Sequence, residues 1–236
     1  MSVIFHKKVD GSDLPAGCVA EIHLVCIEIT NVEECVSQLI ELISSTSWIQ
    51  QLEPIGQATF KVRAQRTIVK LLKIFNGSDG AITSEIGEYS ISINAGQSLG
   101  DQFGHKVFPI AELWKEKVIG NPGFDFHTES NHKRISFGEA KYQKNSNPYT
   151  KSANQILSFI KDGKDQGDTS DLKSLSASNE AINKLLALDR GFCVAFSLYS
   201  TDYETILVNA LKSDPIKEIS KQCGELYVIG VRHASS

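Results

Sequence analysis

The sequence lacks a long apolar run, since no stretch of about 18 consecutive apolar residues occurs among its 236 residues. We therefore expect no membrane-spanning helix. The opening segment, MSVIFHKKVDGSDLP, has no long apolar centre and places its charges after its apolar residues, so we expect no secretory signal there. With 41% hydrophobic and 22% charged residues, the composition excludes a wholly disordered chain.

The sequence also lacks a paired cysteine pattern. Its cysteines are an odd, scattered set without C-x-x-C spacing, namely Cys18, Cys26, Cys35, Cys193 and Cys223. Such a set is typical of reduced thiols, so we expect a cytoplasmic protein with neither a disulfide framework nor a zinc site. The net charge of −4 excludes a globally basic surface for nucleic acid, although it leaves room for a local basic face.

The first third of the chain shows α/β patterning without a chemical motif. The apolar run 18–29 predicts a strand, and Asn31 is the predicted N-cap of an amphipathic helix that follows. Residues 55–62 predict a second strand, and 68–75 carry a short helical stripe. Because a polar turn follows at 76–80, we interpret residues 1–79 as an N-terminal α/β extension of unknown role.

The remaining residues, 80–236, predict a second series of α/β elements. From residue 83 the patterns favour, in order, a helix at 83–93, strands at 106–114, 124–129 and 134–142, a helix at 150–161, a mobile polar loop at 163–178, a helix at 180–188 and a strand at 191–199. A helix near 203–211 and a strand at 226–232 close the chain. The predicted fold class is therefore mixed α/β, with a three-strand meander followed by a crossover.

The predicted hairpin of the meander brings two carboxylates together. If it turns through residues 131–133, Asp125 lies opposite Glu139, and opposed side chains of a ladder share one face. Lys141 follows two residues later on the same face, because side chains alternate along a strand. Two adjacent carboxylates repel each other unless a cation lies between them, and Mg²⁺ suits one or two carboxylates with several waters. Lys141 would then hold a water or stabilise charge on a phosphate.

The helix before the meander offers a third carboxylate. Glu85 and Glu88 are three residues apart and can share one helix face. Glu88 is the preferred candidate because it follows Gly87, where the missing side chain lets a backbone or a substrate come close.

Together, Asp125, the GEAK segment that ends at Lys141 and the helical pair Glu85 and Glu88 resemble the PD-(D/E)XK phosphodiesterase superfamily. The wider pattern SEIGE…GFD…GEAKY is similar to the nuclease component of Hachiman-type anti-phage defence systems, over roughly residues 80–200. One position departs from the superfamily pattern: Phe124 stands where the proline that names the motif would precede the aspartate.

This resemblance implies a restriction-endonuclease-like core, which runs helix, three strands, helix, strand. It implies that Asp125 and Glu139 bind Mg²⁺, with Mn²⁺ as a substitute, that Lys141 assists the nucleophile, and that the substrate is DNA. It also implies an anti-phage role and a helicase-type partner protein. Cutting of both strands by one active site per chain would favour a homodimer.

A local excess of basic residues follows the predicted site. Residues 131–161 contain six basic side chains and one acidic side chain, as expected for contact with a polyanion; the basic ones are Lys133, Arg134, Lys141, Lys144, Lys151 and Lys161. We expect Lys144 and Lys151, with Gln155 on the helix after the site, to contact the substrate backbone.

Three alternative interpretations remain open at this stage. Residues 96–100 match the serine-hydrolase motif G-x-S-x-G around Ser98, although five residues with two glycines follow it rather than a helix. His127 shares the predicted face of Asp125 and either lines the site or lies at the surface. Finally, the same fold could serve as a nucleic-acid or protein interaction module without turnover.

Overall fold

The structure is a computed structural model that describes residues 1–76, 84–115, 123–175 and 177–233. The described residues form seven strands, β1 to β7, over Ser2–Val9, Glu21–Ile29, Lys106–Val107, Phe126–Glu129, Ile135–Lys141, Gly191–Ser197 and Glu225–His233. They also form ten α-helices, α1 to α10, over Val32–Ser44, Ser47–Gln50, Pro54–Asn76, Ser84–Phe103, Tyr149–Lys161, Lys164–Gly167, Thr169–Ser174, Asn179–Leu186, Tyr203–Leu211 and Asp214–Ser220. Short 3-10 helices occupy Gly11–Asp13 and Ala111–Leu113.

All seven described strands belong to one sheet, in the order β1-β2-β7-β6-β5-β4-β3. The four central strands β2, β7, β6 and β5 run parallel, whereas β1 and the pair β4 and β3 are antiparallel to their neighbours. Parallel strands are covered on both faces, which explains why every residue of β6 is buried. The predicted mixed α/β class is confirmed.

Strand β2 joins the N-terminal segment to the rest of the sheet. It pairs with β7 along its whole length, from the pair Glu21 and Glu225 to the pair Ile29 and His233. The predicted boundary at residue 79 lies outside the described residues. On either side of that boundary the chain contributes strands to the same sheet.

Helices cover both faces of the sheet. On one face, α1 and α4 pack over a cluster that includes Leu39, Ile91 and Phe126. On the other face, α5 and α8–α10 pack over a cluster that includes Ile156 and Phe192. Helix α3 contributes side chains to both clusters, so it passes beside the sheet.

Several predicted elements are confirmed. Asn31 caps α1, since its side chain accepts a hydrogen bond from the N–H of Glu34 at 3.0 Å. The strand predictions for β2, β4, β5, β6 and β7, and the helix predictions for α5, α8 and α9, agree with the structure within a few residues. Strand β1 and helices α2 and α10 were not predicted.

The predicted strand at 55–62 is wrong, because these residues belong to α3. Phe60 and Ala64 are completely buried, and their spacing of four extends the helical stripe predicted further along. Pro54 occupies the first position of the helix, where its missing N–H costs nothing.

The predicted strand at 106–114 is correct only for its first residues. Pairing with β4 ends at Val107, and a 3-10 turn follows at Ala111–Leu113. The turn is held by two hydrogen bonds: the Trp114 indole donates to the carbonyl of Pro109 at 2.9 Å, and the Ala111 N–H donates to the carbonyl of Asp125 at 3.0 Å.

The predicted mobile loop at 163–178 is also wrong, since most of its described residues form α6 and α7. Leu172 and Leu175 are buried in the core. Asp165 is buried too, and it pairs with Arg190 at 2.5 Å. Polar composition misled the prediction, because a few apolar and ion-pairing residues suffice to anchor such a segment.

Candidate functional site

The hairpin of β4 and β5 has the predicted register. Phe126 pairs with Gly138, so one further residue brings Asp125 level with Glu139. The N–H of Asp125 donates to the carbonyl of Gly138 at 2.9 Å, which continues the ladder to this point. The turn closes at Lys133, whose φ of 57° is left-handed.

Local contacts hold Asp125 against the end of β5. Its Oδ2 accepts a hydrogen bond from the N–H of Ala140 at 2.8 Å. The ring of Phe126 covers Gly138 so closely that an added Cβ would lie 2.2 Å from it. Because only glycine leaves that space, this position allows β4 to pack tightly on β5 and brings Asp125 to Glu139.

Glu139 is buried, with only 1% of its surface exposed, and its two oxygens are in different situations. Oε1 lies 2.6 Å from Nζ of Lys141, as their shared strand face predicts. Oε2 is buried and has no hydrogen-bond partner among the described residues. The backbone carbonyl of Glu139 accepts a hydrogen bond from the Ser152 hydroxyl at 2.8 Å, which ties the site to α5.

The three groups perturb one another electrostatically. Burial raises the pKa of Asp125 to about 7, and the negative charge of Glu112 acts in the same direction. Burial, followed by the charge of Asp125, raises the pKa of Glu139 well above its ordinary value. Burial disfavours the charged form of Lys141, but neighbouring carboxylates led by Glu139 outweigh it, so the pKa of Lys141 is also raised. The site therefore holds two carboxyl groups that resist ionising together.

Helix α4 brings Glu88 into this electrostatic environment. Its negative charge contributes to the raised pKa values of Asp125, Glu139 and Lys141, and its side chain is half-buried. Glu85 is exposed. The expectation that Gly87 leaves room for a substrate needs correction, because the ring of Tyr142 fills that space, 2.3 Å from where a Cβ would stand.

Sequence reasoning missed Glu112. This residue lies in the 3-10 turn Ala111–Leu113, which the Ala111 N–H fastens to the backbone of Asp125. Among charged neighbours, Glu112 has the largest effect in raising the pKa of Asp125, ahead of Glu88. No periodicity or motif marks it, since the turn was predicted as a strand.

Asp125 and Glu139 offer a small set of oxygen donors for a divalent cation. Within the described ranges, no three His, Cys, Asp or Glu side chains lie close enough together to hold a metal ion. Asp125 and Glu139 nevertheless supply adjacent carboxylates, and Glu139 Oε2 is a buried acceptor to which no described residue donates a hydrogen bond. Because Mg²⁺ takes one or two carboxylates and keeps several waters, this oxygen pair fits it.

The predicted substrate contacts lie at the surface around the site. Lys144 and Lys151 are exposed, and Gln155 is half-buried on α5. Lys144 lines a cavity of about 480 Å³ together with Ser84 and Tyr142, at the start of α4.

The positive charge that residues 131–161 leave for a substrate is smaller than the sequence predicts. Three of the six basic residues form ion pairs: Lys133 with Glu129, Arg134 with Asp189 and Glu225, and Lys141 with Glu139.

His127 is neither at the surface nor free for chemistry. It is completely buried, and its Nε2 lies 2.9 Å from Oδ2 of Asp168, which also pairs with Lys115 at 2.5 Å. Burial, assisted by the charge of Lys115, lowers the pKa of His127 to about 4. This contact anchors the segment of α6 and α7 to the sheet.

The structure contradicts a serine-hydrolase elbow at Ser98. Residues 96–100 lie inside α4, which runs to Phe103 rather than ending near residue 93 as predicted. Ser98 is completely buried, and its hydroxyl donates to the carbonyl of Ala95 at 2.8 Å. An elbow needs an exposed serine between a strand and a helix.

Comparisons with protein-family models, curated proteins and solved structures find no match to this chain. Among the described residues, no helix combines the length and the apolar character needed to span a membrane.

Proposed function

We propose that this chain is a metal-dependent nuclease that hydrolyses phosphodiester bonds in DNA. The observation that carries the proposal is the neighbourhood of Asp125 and Glu139, two buried carboxyl groups held together although the charge of Asp125 helps to raise the pKa of Glu139. Oε2 of Glu139 is buried without a hydrogen-bond partner among the described residues, which makes ionisation of this group less favourable still. Such an arrangement is typical of a site that binds a cation or a substrate, because functional sites often keep charged groups that destabilise the fold.

The order of elements supports a restriction-endonuclease-like core. Helix α4 is followed by β3, β4 and β5, then by α5, and the chain later returns in β6 beside β5. This is the helix, three-strand, helix, strand order that we expect for PD-(D/E)XK enzymes. Asp125 directly precedes β4 and Glu139 lies in the neighbouring strand β5, which supports this expectation.

Each residue has a role in the proposed reaction. Asp125 and Glu139 would hold Mg²⁺, which would supply a positive charge to polarise the scissile phosphate. Lys141, positioned by Glu139, would orient the attacking water and stabilise the negative charge that develops on the phosphate. Glu88 would add a third negative charge beside Asp125 and Glu139. In the net reaction, water adds to phosphorus, one P–O ester bond breaks, and the leaving oxygen takes a proton.

A cleavage assay tests the proposal on matched single- and double-stranded DNA with Mg²⁺, Mn²⁺ or EDTA. We expect cutting that EDTA abolishes, and that Asp125→Asn and Lys141→Met each abolish. Lys133→Met is the control, since this lysine pairs with Glu129 at the other end of the hairpin and should be dispensable. Cutting that survives both site variants would contradict the proposal, and DNA binding without cutting would favour the interaction module.

The anti-phage role and the helicase-type partner extend the proposal through the family resemblance alone. Co-purification of the chain with a helicase from its host, and protection against phage that Lys141→Met removes, would support both. Protection that persists in Lys141→Met would separate any defence role from nuclease activity.

A further inference from the structure

Helix α3 concentrates positive charge within the segment whose role the sequence left open. Its 23 residues contain five basic side chains and no acidic one, in a chain whose net charge is −4. Four of the five are exposed, namely Lys61, Arg66, Lys70 and Lys73. The last three share one side of the helix, and we call them the α3 basic face.

The geometry of the helix directs the α3 basic face away from the core. Phe60, Ala64 and Leu71 are buried and define the inner side. Arg66, Lys70 and Lys73 follow at spacings of four and three, which places them together on the outer side. Val62 and Val69, which are 52% and 56% exposed, lie on the same outer side.

The α3 basic face makes no ion pair with any described residue, whereas several basic residues elsewhere on the protein do. Elsewhere, Lys217 pairs with Asp214 and Lys221 pairs with Glu218 on α10. The fifth basic residue of α3, Arg63, binds Asp171 and is thereby committed to the fold. Like charges at i and i+4 destabilise a helix, so the uncompensated basic face suits an anionic partner from outside the chain.

Helix α3 also flanks the candidate site. It packs against the 3-10 turn Ala111–Leu113, and the Arg63 guanidinium donates to the carbonyl of Trp114 just after that turn, at 3.0 Å. The same turn carries Glu112 and is hydrogen-bonded to the backbone of Asp125. One short turn therefore connects the helix that carries the basic face to the carboxylate site.

We propose that the α3 basic face binds the phosphate backbone of duplex DNA and so docks the substrate beside Asp125 and Glu139. The inference rests on the proposed nuclease function and assigns the N-terminal segment a part in it. Lysine and arginine contacts to phosphates are independent of sequence, and each contact releases counterions, so binding weakens as salt rises. DNA and RNA duplexes share this phosphate chemistry, and the experiment distinguishes them.

The test measures binding separately from cutting. Fluorescence anisotropy of labelled 20-base-pair DNA and RNA duplexes in EDTA would compare the wild-type chain with the triple variant Arg66→Gln, Lys70→Gln, Lys73→Gln. We expect the variant to bind DNA about tenfold or more weakly at low salt, with the slope of log K against log salt reduced by about 2 to 3. The matched control, Lys212→Gln, Lys217→Gln, Lys221→Gln, removes the same charge from the region of α9 and α10 and should bind like wild type.

The outcomes separate docking from catalysis. Circular dichroism would verify that both triple variants are folded. Equal DNA affinity of the triple variant and the control, or equal losses in both, would overturn the inference while leaving the nuclease proposal intact. Docking through α3 by a wild-type chain that never cuts would instead refute the nuclease proposal. Tighter binding to RNA than to DNA would overturn DNA as the docked substrate.

Discussion

The hairpin of β4 and β5 carries a buried glutamate at each end, and the two carboxylates differ in their hydrogen-bond partners. Glu129, near the turn, is 4% exposed and has partners for both oxygens: Nζ of Lys133 at 3.2 Å and the N–H of Ser178 at 2.8 Å. Glu139, at the far end, is 1% exposed, and one of its oxygens has no hydrogen-bond partner in the part of the chain that the structure describes.

Their pKa values move in opposite directions for this reason. Burial opposes ionisation of Glu129, but hydrogen bonds from Ser178 and Lys133 outweigh it, and its pKa is lowered. At Glu139 burial acts together with the charge of Asp125, and its pKa is raised. Burial alone therefore does not identify a functional carboxylate; the informative feature is burial without full compensation.

The largest expected effect is on activity. Glu139→Gln should lower the rate of metal-dependent DNA cleavage by roughly a hundred- to a thousandfold, because it removes a negative charge from the proposed site. Glu129→Gln should leave the rate within a fewfold of wild type. Initial cleavage rates of the folded variants would measure this difference. Comparable losses in both variants would contradict the functional distinction between Glu139 and Glu129.

The next largest effect is on the free energy of unfolding, which should change in opposite directions for variants at the two ends of the hairpin. Asp125→Asn should raise the free energy of unfolding at pH 8 by about 1–3 kcal/mol, because it removes a charge that burial disfavours. Glu129→Gln should lower it by about 1–2 kcal/mol, because its hydrogen bonds favour the ionised form. Urea unfolding curves would measure both, and changes of the same sign would contradict the comparison.

The pH dependence sharpens the same contrast. The pKa of Asp125 rises from an unfolded value near 3.8 to about 7 in the folded chain, so its favourable contribution to stability is complete below pH 4 and is lost as pH rises towards 7. The advantage of Asp125→Asn over wild type should therefore be absent near pH 4 and grow up to pH 7. The deficit of Glu129→Gln should shrink as pH falls through the lowered pKa of Glu129.

The smallest effect concerns the residue that sequence reasoning missed. Glu112→Gln should lower the pKa of Asp125 below its value of about 7, since it removes the charged neighbour with the largest effect in raising that pKa. Carbon-13 NMR titration of the aspartate side-chain carboxyl would measure the shift, with the exposed Glu180→Gln as the control. An unchanged pKa would mean that Glu112 does not act on the site.

Local chemistry explains why so much of the site was predictable. The polar turn at 131–133 determines the pairing of β4 with β5, and strand alternation then determines that Glu139 and Lys141 meet. None of this depends on distant parts of the chain, which is why a single sequence sufficed for the register of Asp125 and Glu139.

The predictions that were wrong concern elements held by contacts between distant segments. The 3-10 turn with Glu112 is held by the backbone of Asp125, and the polar segment of α6 and α7 is held partly by the contact of Asp168 with His127. Neither contact leaves a periodic signal in the sequence.

The sequence by itself determined the α/β class, the hairpin register and the pairing of Glu139 with Lys141, because these follow from alternation and turn chemistry over short distances. Only the tertiary structure decided that β2 lies inside the sheet beside β7 and that Ser98 is buried within α4. It also decided that the basic outer side of α3 forms no ion pair with any described residue, on a helix that packs against the turn carrying Glu112. Those features depend on which surfaces meet when the chain packs, and pairing between strands about 200 residues apart leaves no local trace.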